Sequence, residues 1–237
     1  MMTFTYNGIN SAAYHLFISG EGTFDAPSPV VQKIEIPGRN GTLLIPEGRF
    51  GNISVTYPGM IIGSFISNAQ NVRSWLLSNQ GYFRLTDDYN SGEYRLAAFN
   101  AALSFDPTAA NLHGKIKITF DCKPQRFLTS GETATTISNS GSTISNPTAF
   151  ASLPLIQVNG TANGSGTLTV NGTTITITNI TNQMMIDCDT MNAYKGTTNL
   201  NGDISASAFP VLASGSNTVA WTGNISSVKI TPRWWRI

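Results

Sequence analysis

Apolar and polar residues alternate with a period of two along most of this chain. The clearest run has Ile116, Ile118 and Phe120 interleaved with Lys115, Lys117 and Thr119. Successive side chains of a strand point to opposite faces, so this pattern predicts strands with one buried and one wet face. The same reading predicts strands over 4–8, 14–18, 30–36, 42–45, 50–57, 81–85 and 94–105, with 50–57 stopping at Pro58-Gly59. The period changes once. Ala69, Val72, Trp75 and Leu76 recur at spacings of three and four, and Ser67 or Asn68 stands where an N-cap is wanted, which predicts a three-turn helix over 67–77. Beyond residue 130, strands are predicted at 153–158, 167–170, 173–177, 184–188, 216–221 and 227–235. Asn171-Gly172 joins two of them as a type I′ hairpin. The fold class is therefore mostly β, in two sandwich-type domains, the first carrying one short helix.

The alternating strand at 115–120 runs into Cys122 and Pro124, and composition changes with it. Of the 27 charged residues, 19 precede Phe127 and 8 follow, while Ser, Thr, Asn and Gly fill 55 of the 111 positions from Phe127 onward, against 40 of the 126 before it. Proline cannot donate to a sheet ladder, so a strand ending in this way at a compositional step marks a domain boundary. Domains are expected at 1–126 and 127–237, with Cys122, Pro124 and Phe127 around the hinge.

Composition also limits the chemistry. Charged residues make up 11% of the chain and the formal charge is +1, with no basic run to follow a phosphate backbone; nucleic acid is not an expected partner. No window approaches the 18 apolar residues of a membrane span, and the start lacks the pattern of a signal peptide. Cys122 and Cys188 fall in different halves and read as two buried thiols of a protein made in a reducing cytosol. His15 and His113 are isolated, no Cys/His cluster has zinc spacing, and no glycine-rich loop is followed by lysine, so neither catalysis nor a cofactor is expected. Asp87 with Asp88, and Asp187 with Asp189, read as turn-forming carboxylates rather than a cation site.

The segment 37–41, Pro37, Gly38, Arg39, Asn40 and Gly41, contains two turn signals and predicts a hairpin tip between two apolar strands. A protruding hairpin can add its main chain to a foreign sheet edge, which makes these five residues the candidate subunit interface. The alternative reading is a carbohydrate-binding sandwich or adhesin, with Trp221 and Trp234 as sugar-stacking rings. Trp234 and Trp235 are adjacent, so on a strand only one of them could face a given site.

Several motifs resemble the distal tail proteins of long-tailed bacteriophages. They are F-D-C-K-P-Q-R-F at 120–127 followed by Gly131-Glu132 and Asn146-Pro147; I-P-G-R-N-G at 36–41; and the helix ending W-L-L, then a glycine, a short strand and L-T-D-D-Y at 85–89. In the second half they are M-I-D-C-D-T-M-N-A-Y at 185–194 and F-P-V-L-A-S-G-S-N at 209–217. The resemblance implies a first domain that closes a homohexameric ring and a galectin-like second domain. It implies a structural, non-enzymatic hub at the distal end of the virion tail, assembled after synthesis in the host bacterial cytoplasm. The implied partners are the tail tube protein, a tail-associated fibre or lysin protein, and receptor-binding proteins. The chain has no large insertion of the kind that carries carbohydrate-binding modules in some members.

Overall fold

A computed structural model describes residues 1–20, 23–78 and 80–237. By its internal contacts the chain divides into two compact units, Met1–Arg126 with Ile237, and Phe127–Arg236.

The first unit contains β1 (Phe4–Tyr6), β2 (Ile9–Asn10), β3 (Leu16–Ile18), β4 (Pro29–Glu35), β5 (Thr42–Phe50), β6 (Ile53–Ile62), α1 (Phe65–Leu77), β7 (Phe83–Asp87), β8 (Glu93–Ala98), β9 (Phe105–Thr108) and β10 (His113–Cys122). Its main sheet runs β2-β1-β7-β8-β10-β6-β3, with β9 added to β10. The sheet curls until its ends meet, since Met2, just ahead of β1, bridges Ile18 of β3. Alternation explains what lies inside: Gly114, Ile116, Ile118, Phe120 and Cys122 of β10 are buried, and Lys115 and Lys117 are exposed. An aromatic cluster fills the interior. Phe4 stacks on Tyr57 and on Trp75 of α1, each at 5.4 Å between ring centroids, and Phe120 meets Phe4 edge-on at 5.6 Å.

Three local expectations change. The helix begins two residues early: Ser64 stands at its N-cap with φ 45°, and Asn68 is buried inside the helix, donating to the Gly63 carbonyl. The strand expected over 94–105 is two, β8 and β9, separated by the segment 99–104. Strand β6 continues through Pro58 instead of stopping there. Ser19 N–H donates to the Pro58 carbonyl at 2.8 Å, and one residue's N–H and C=O share a side of its strand. The donor that proline lacks therefore belongs on the β3 side, just past the last β3 pair, Ile18 with Gly59, while the β6–β10 ladder stays paired from Ile53 to Ile62.

The second unit contains β11 (Arg126–Leu128, starting at the last residue of the first unit), β12 (Thr135–Ile137), β13 (Ser142–Asn146), β14 (Leu155–Gly160), β15 (Gly164–Val170), β16 (Thr173–Ile180), β17 (Gln183–Asp187), β18 (Asn192–Lys195), β19 (Thr198–Asn199), β20 (Ile204–Ala206), β21 (Gly215–Gly223), β22 (Ile225–Thr231) and β23 (Trp235–Arg236). One sheet has the order β12-β22-β14-β17-β18-β19, the other β13-β21-β15-β16-β20. They form a sandwich around Ile156, Val158, Leu168, Val170, Ile175, Ile177, Ile186, Val219, Val228 and Ile230. Polar side chains close its loops. Asn217, fully buried, donates to the carbonyls of Ala213 at 2.9 Å and Gly215 at 2.8 Å and accepts from Asn171 Nδ2. Asn146 Oδ1 accepts from the backbone N–H and the hydroxyl of Thr148, fixing the Asn-Pro loop. The strand expected over 227–235 breaks at Pro232 and at Arg233, which has φ 56°.

Candidate assembly surface

Strands β4 and β5 form a two-stranded ribbon that pairs with no other strand among the described residues. Gln32 pairs with Ile45, Lys33 with Leu44, Ile34 with Leu43 and Glu35 with Thr42. Cross-strand partners share a face and the side-chain period is two, so Ile34, Leu43 and Ile45 line one face, and Ile36 continues it toward the tip. Those four aliphatic residues are 37% to 46% exposed. On the other face Lys33 and Glu35 alternate with Leu44 and Thr42. A lone two-stranded ribbon is marginal in water, and an aliphatic face left open makes it more so.

The tip turns through Pro37 to Gly41. Gly38 and Gly41 have φ +76° and +83°, which a side chain would strain, and Arg39 N–H donates to the Ile36 carbonyl at 3.1 Å. All five tip residues are exposed. A shallow concavity lined by Glu35, Ile36, Pro37, Arg39, Gly41 and Thr42 lies beside the turn. At the base Gly51 N–H donates to the Ser28 carbonyl, and an ion pair of Arg49 with Glu47 at 2.9 Å spans the irregular end of β5.

The other sequence-predicted residues do not belong to this arm. Cys122 is fully buried in the first core, its thiol pushed up to about 12 chiefly by burial, so it is fixed in a sheet and cannot itself flex as a hinge. Pro124 follows β10, and Phe127 opens the second unit. Cys188, also buried, belongs to the second core, and both cysteines are free thiols. Trp234 is 6% exposed and part of that core, which leaves no ring face for a sugar; Trp221 is partly buried against the same cluster. Of the carboxylates, Asp87 accepts from Tyr89 N–H, Asn90 N–H and the Tyr57 hydroxyl, and Asp88 accepts from the Thr3 backbone and hydroxyl. Each is committed to a turn or a sheet end. His15 and His113 face backbone atoms of Ile62 and Gly63 respectively. No group of three His, Cys, Asp or Glu side chains among the described residues could hold a metal ion, and no described helix is long and apolar enough to cross a membrane.

Sequence reasoning missed two arginine anchors. Arg126, 8% exposed, donates to Asn90 Oδ1 at 2.6 Å and to the Thr23 carbonyl, and lies 3.7 Å from Glu93; the last residue of the first unit is thereby held in that unit. Arg233 makes a two-pronged contact with Asp187, at 2.7 and 3.0 Å. That hydrogen-bonded guanidinium holds the Asp187 carboxyl below the usual carboxylate range, against the opposing effect of burial. Charge type could have signalled neither, because the partners lie 36 and 46 residues away.

No protein-family model matches this chain, and no curated protein matches it. Among solved structures, it superposes on the crystal structure of the Dit (gp 19.1) protein of phage SPP1 with a TM-score of 0.79, at 12% sequence identity, over 100% of both chains. That protein is described as a paradigm of the hub adsorption apparatus in phages infecting Gram-positive bacteria. The likeness establishes a Dit-like fold for the whole chain.

Proposed function

We propose that this chain is a structural hub of a bacteriophage tail tip, a distal tail protein whose first unit closes a homohexameric ring and whose galectin-like second unit lies outside it. Two observations support the reading, the first more heavily: the end-to-end likeness of fold to a phage hub protein, and an arm that pairs with no other strand among the described residues and keeps its aliphatic residues 37% to 46% exposed. A cyclic ring needs a heterologous interface, with one patch meeting a different patch on the next copy, and an arm is well suited to be one side of it. The tip residues Pro37, Gly38, Arg39, Asn40 and Gly41 are part of this interface. Through such a ring the tail tube would be joined to a tail-associated fibre or lysin protein and to receptor-binding proteins, at the distal end of the virion. The role is mechanical and needs no catalytic group. Cys122, Pro124 and Phe127 bracket the segment where the two units are joined and where bending between them would occur.

Light scattering across a concentration series, with electron microscopy of the same sample, tests the proposal. Rings with a mass of about 152 kDa, six copies of the 25.4 kDa chain, are expected. A different closed number would overturn the hexamer, and a particle that stays at one copy throughout would count against the ring.

A further inference from the structure

The arm is joined to the rest of the first unit by two short stretches, and the one leading into β4 is held largely by side chains. Residues 23–28 form no strand, yet Thr23 is 2% exposed. Its N–H and its hydroxyl both donate to the Gly20 carbonyl. Its own carbonyl accepts from Arg126, and the Asp25 carbonyl accepts from Arg95 Nη2 at 3.5 Å. The turn after β7 supports the same place. Asp87 Oδ1 accepts from the backbone N–H and the side-chain amide of Asn90, and Asn90 Oδ1 in turn accepts from Arg126. Tyr89 lies so close on Gly20 that a Cβ there would fall 2.7 Å from its ring. Both arginines are buried, and burial, with the neighbouring charge of Arg126 next in effect, lowers Arg95 from its ordinary value.

We propose that Arg126 is a latch, a positioning residue that makes the root of the arm and the junction at 126–127 open together. Its place in the chain is the first reason. Arg126 ends the first unit and begins β11, while its side chain reaches a carbonyl 103 residues earlier, at the arm's root. The second reason is energetic. Two like charges buried near each other are costly unless enough acceptors meet them, and the carbonyls of Thr23 and Asp25 are among those acceptors. If the root lifted alone, both guanidiniums would lose an acceptor in a buried place. If Arg126 withdrew alone, the carbonyl of buried Thr23 would lose its donor. Neither side gains by moving first, so the two move as one cooperative unit. A displacement at the junction is thereby felt at the base of the arm, whatever the arm itself meets.

Native-state hydrogen exchange of the full chain, read by mass spectrometry over a series of low denaturant concentrations, tests this. In the wild type the amides of 23–28 and of 125–127 are expected to open with one common denaturant dependence. Arg126→Met is expected to speed exchange at 23–28 by about tenfold or more while the β10 amides of 115–120 stay protected, and Arg126→Lys to recover part of the loss. Asn90→Ala removes one acceptor from the guanidinium and serves if Arg126→Met does not fold; it should loosen both segments by the same factor. Separate denaturant dependences in the wild type would overturn the latch. So would a folded Arg126→Met or Asn90→Ala variant that leaves 23–28 as protected as before, because Arg126 would then anchor only its own strand. Equal acceleration of β10 in Asn90→Ala would mark a general loss of stability and overturn it as well.

Discussion

Two hairpins of this molecule have the same local grammar and opposite fates. In the second unit β15 and β16 meet at Asn171-Gly172, and their apolar residues Leu168, Val170, Ile175 and Ile177 are fully buried between two sheets. In the first unit β4 and β5 meet at a tip ending in Asn40-Gly41, and Ile34, Leu43 and Ile45 are 42%, 46% and 42% exposed. Alternation and a turn signal specify a hairpin in both cases. Whether its apolar face meets a second sheet depends on the rest of the chain, and among the described residues none buries the arm's face. The buried hairpin contributes its hydrophobic free energy to the stability of one molecule; the exposed one withholds much of its own until something covers it.

That contrast can be broken most sharply at the arm. Replacing Ile34 and Ile45 together by Asp should abolish ring formation and leave a 25.4 kDa species in light scattering, with the unfolding midpoint of the single chain nearly unchanged. Rings that persisted would show that the aliphatic face is not buried on assembly. The converse change is Ile175→Ala in the sandwich. Its cost should be about 2–5 kcal/mol in chemical denaturation, because the deleted atoms leave a cavity that the neighbouring strands can only partly close.

A third test concerns Asp187 and Arg233. Arg233→Met strands a carboxylate that is largely buried and should cost about 1–3 kcal/mol at neutral pH. The pH dependence has a definite sign. Asp187 is depressed in the folded state, so the pair's contribution is complete above the unfolded carboxylate value of about 3.9 and is lost as pH falls through the lower folded value. Denaturation of the wild type and variant should therefore converge in acid below about pH 4. A gap that stayed constant down to low pH would contradict the ion pair. The smallest effect is at a turn. Gly172 has φ +83°, and Gly172→Ala should lower stability by about 1 kcal/mol, whereas Gly41→Ala, at the same φ in the arm, should show mainly in the concentration needed for assembly.

The comparison also locates what a sequence can disclose. Period-two patterning was enough to read β10 correctly on both faces, and the helix register was right for Val72, Trp75 and Leu76, all buried. Those signals are local. Pro58 misled because its meaning depends on where a different strand, β3, stops. Trp234 stood as an alternative sugar platform because aromatic faces stack on sugars, the adjacency of Trp235 told only that the two diverge, and only the fold decides that Trp234 turns inward. The hairpin tip at 37–41 was legible from its turn residues, while the aliphatic face behind it emerged only once the register between β4 and β5 was known. The neighbourhood of Phe17, Met60 and Lys115 gave no signal at all, since the three are brought side by side by pairing three distant strands.

Pro58 has one more consequence. On the β3 side of β6 the last backbone contact is Ser19 with Pro58, and no strand among the described residues pairs with 53–57, so this is an open sheet margin, the kind of place where a foreign strand could attach. Pro58 stands where that margin begins and lacks the N–H that would face Ser19, so the open edge starts at a residue that cannot extend the ladder.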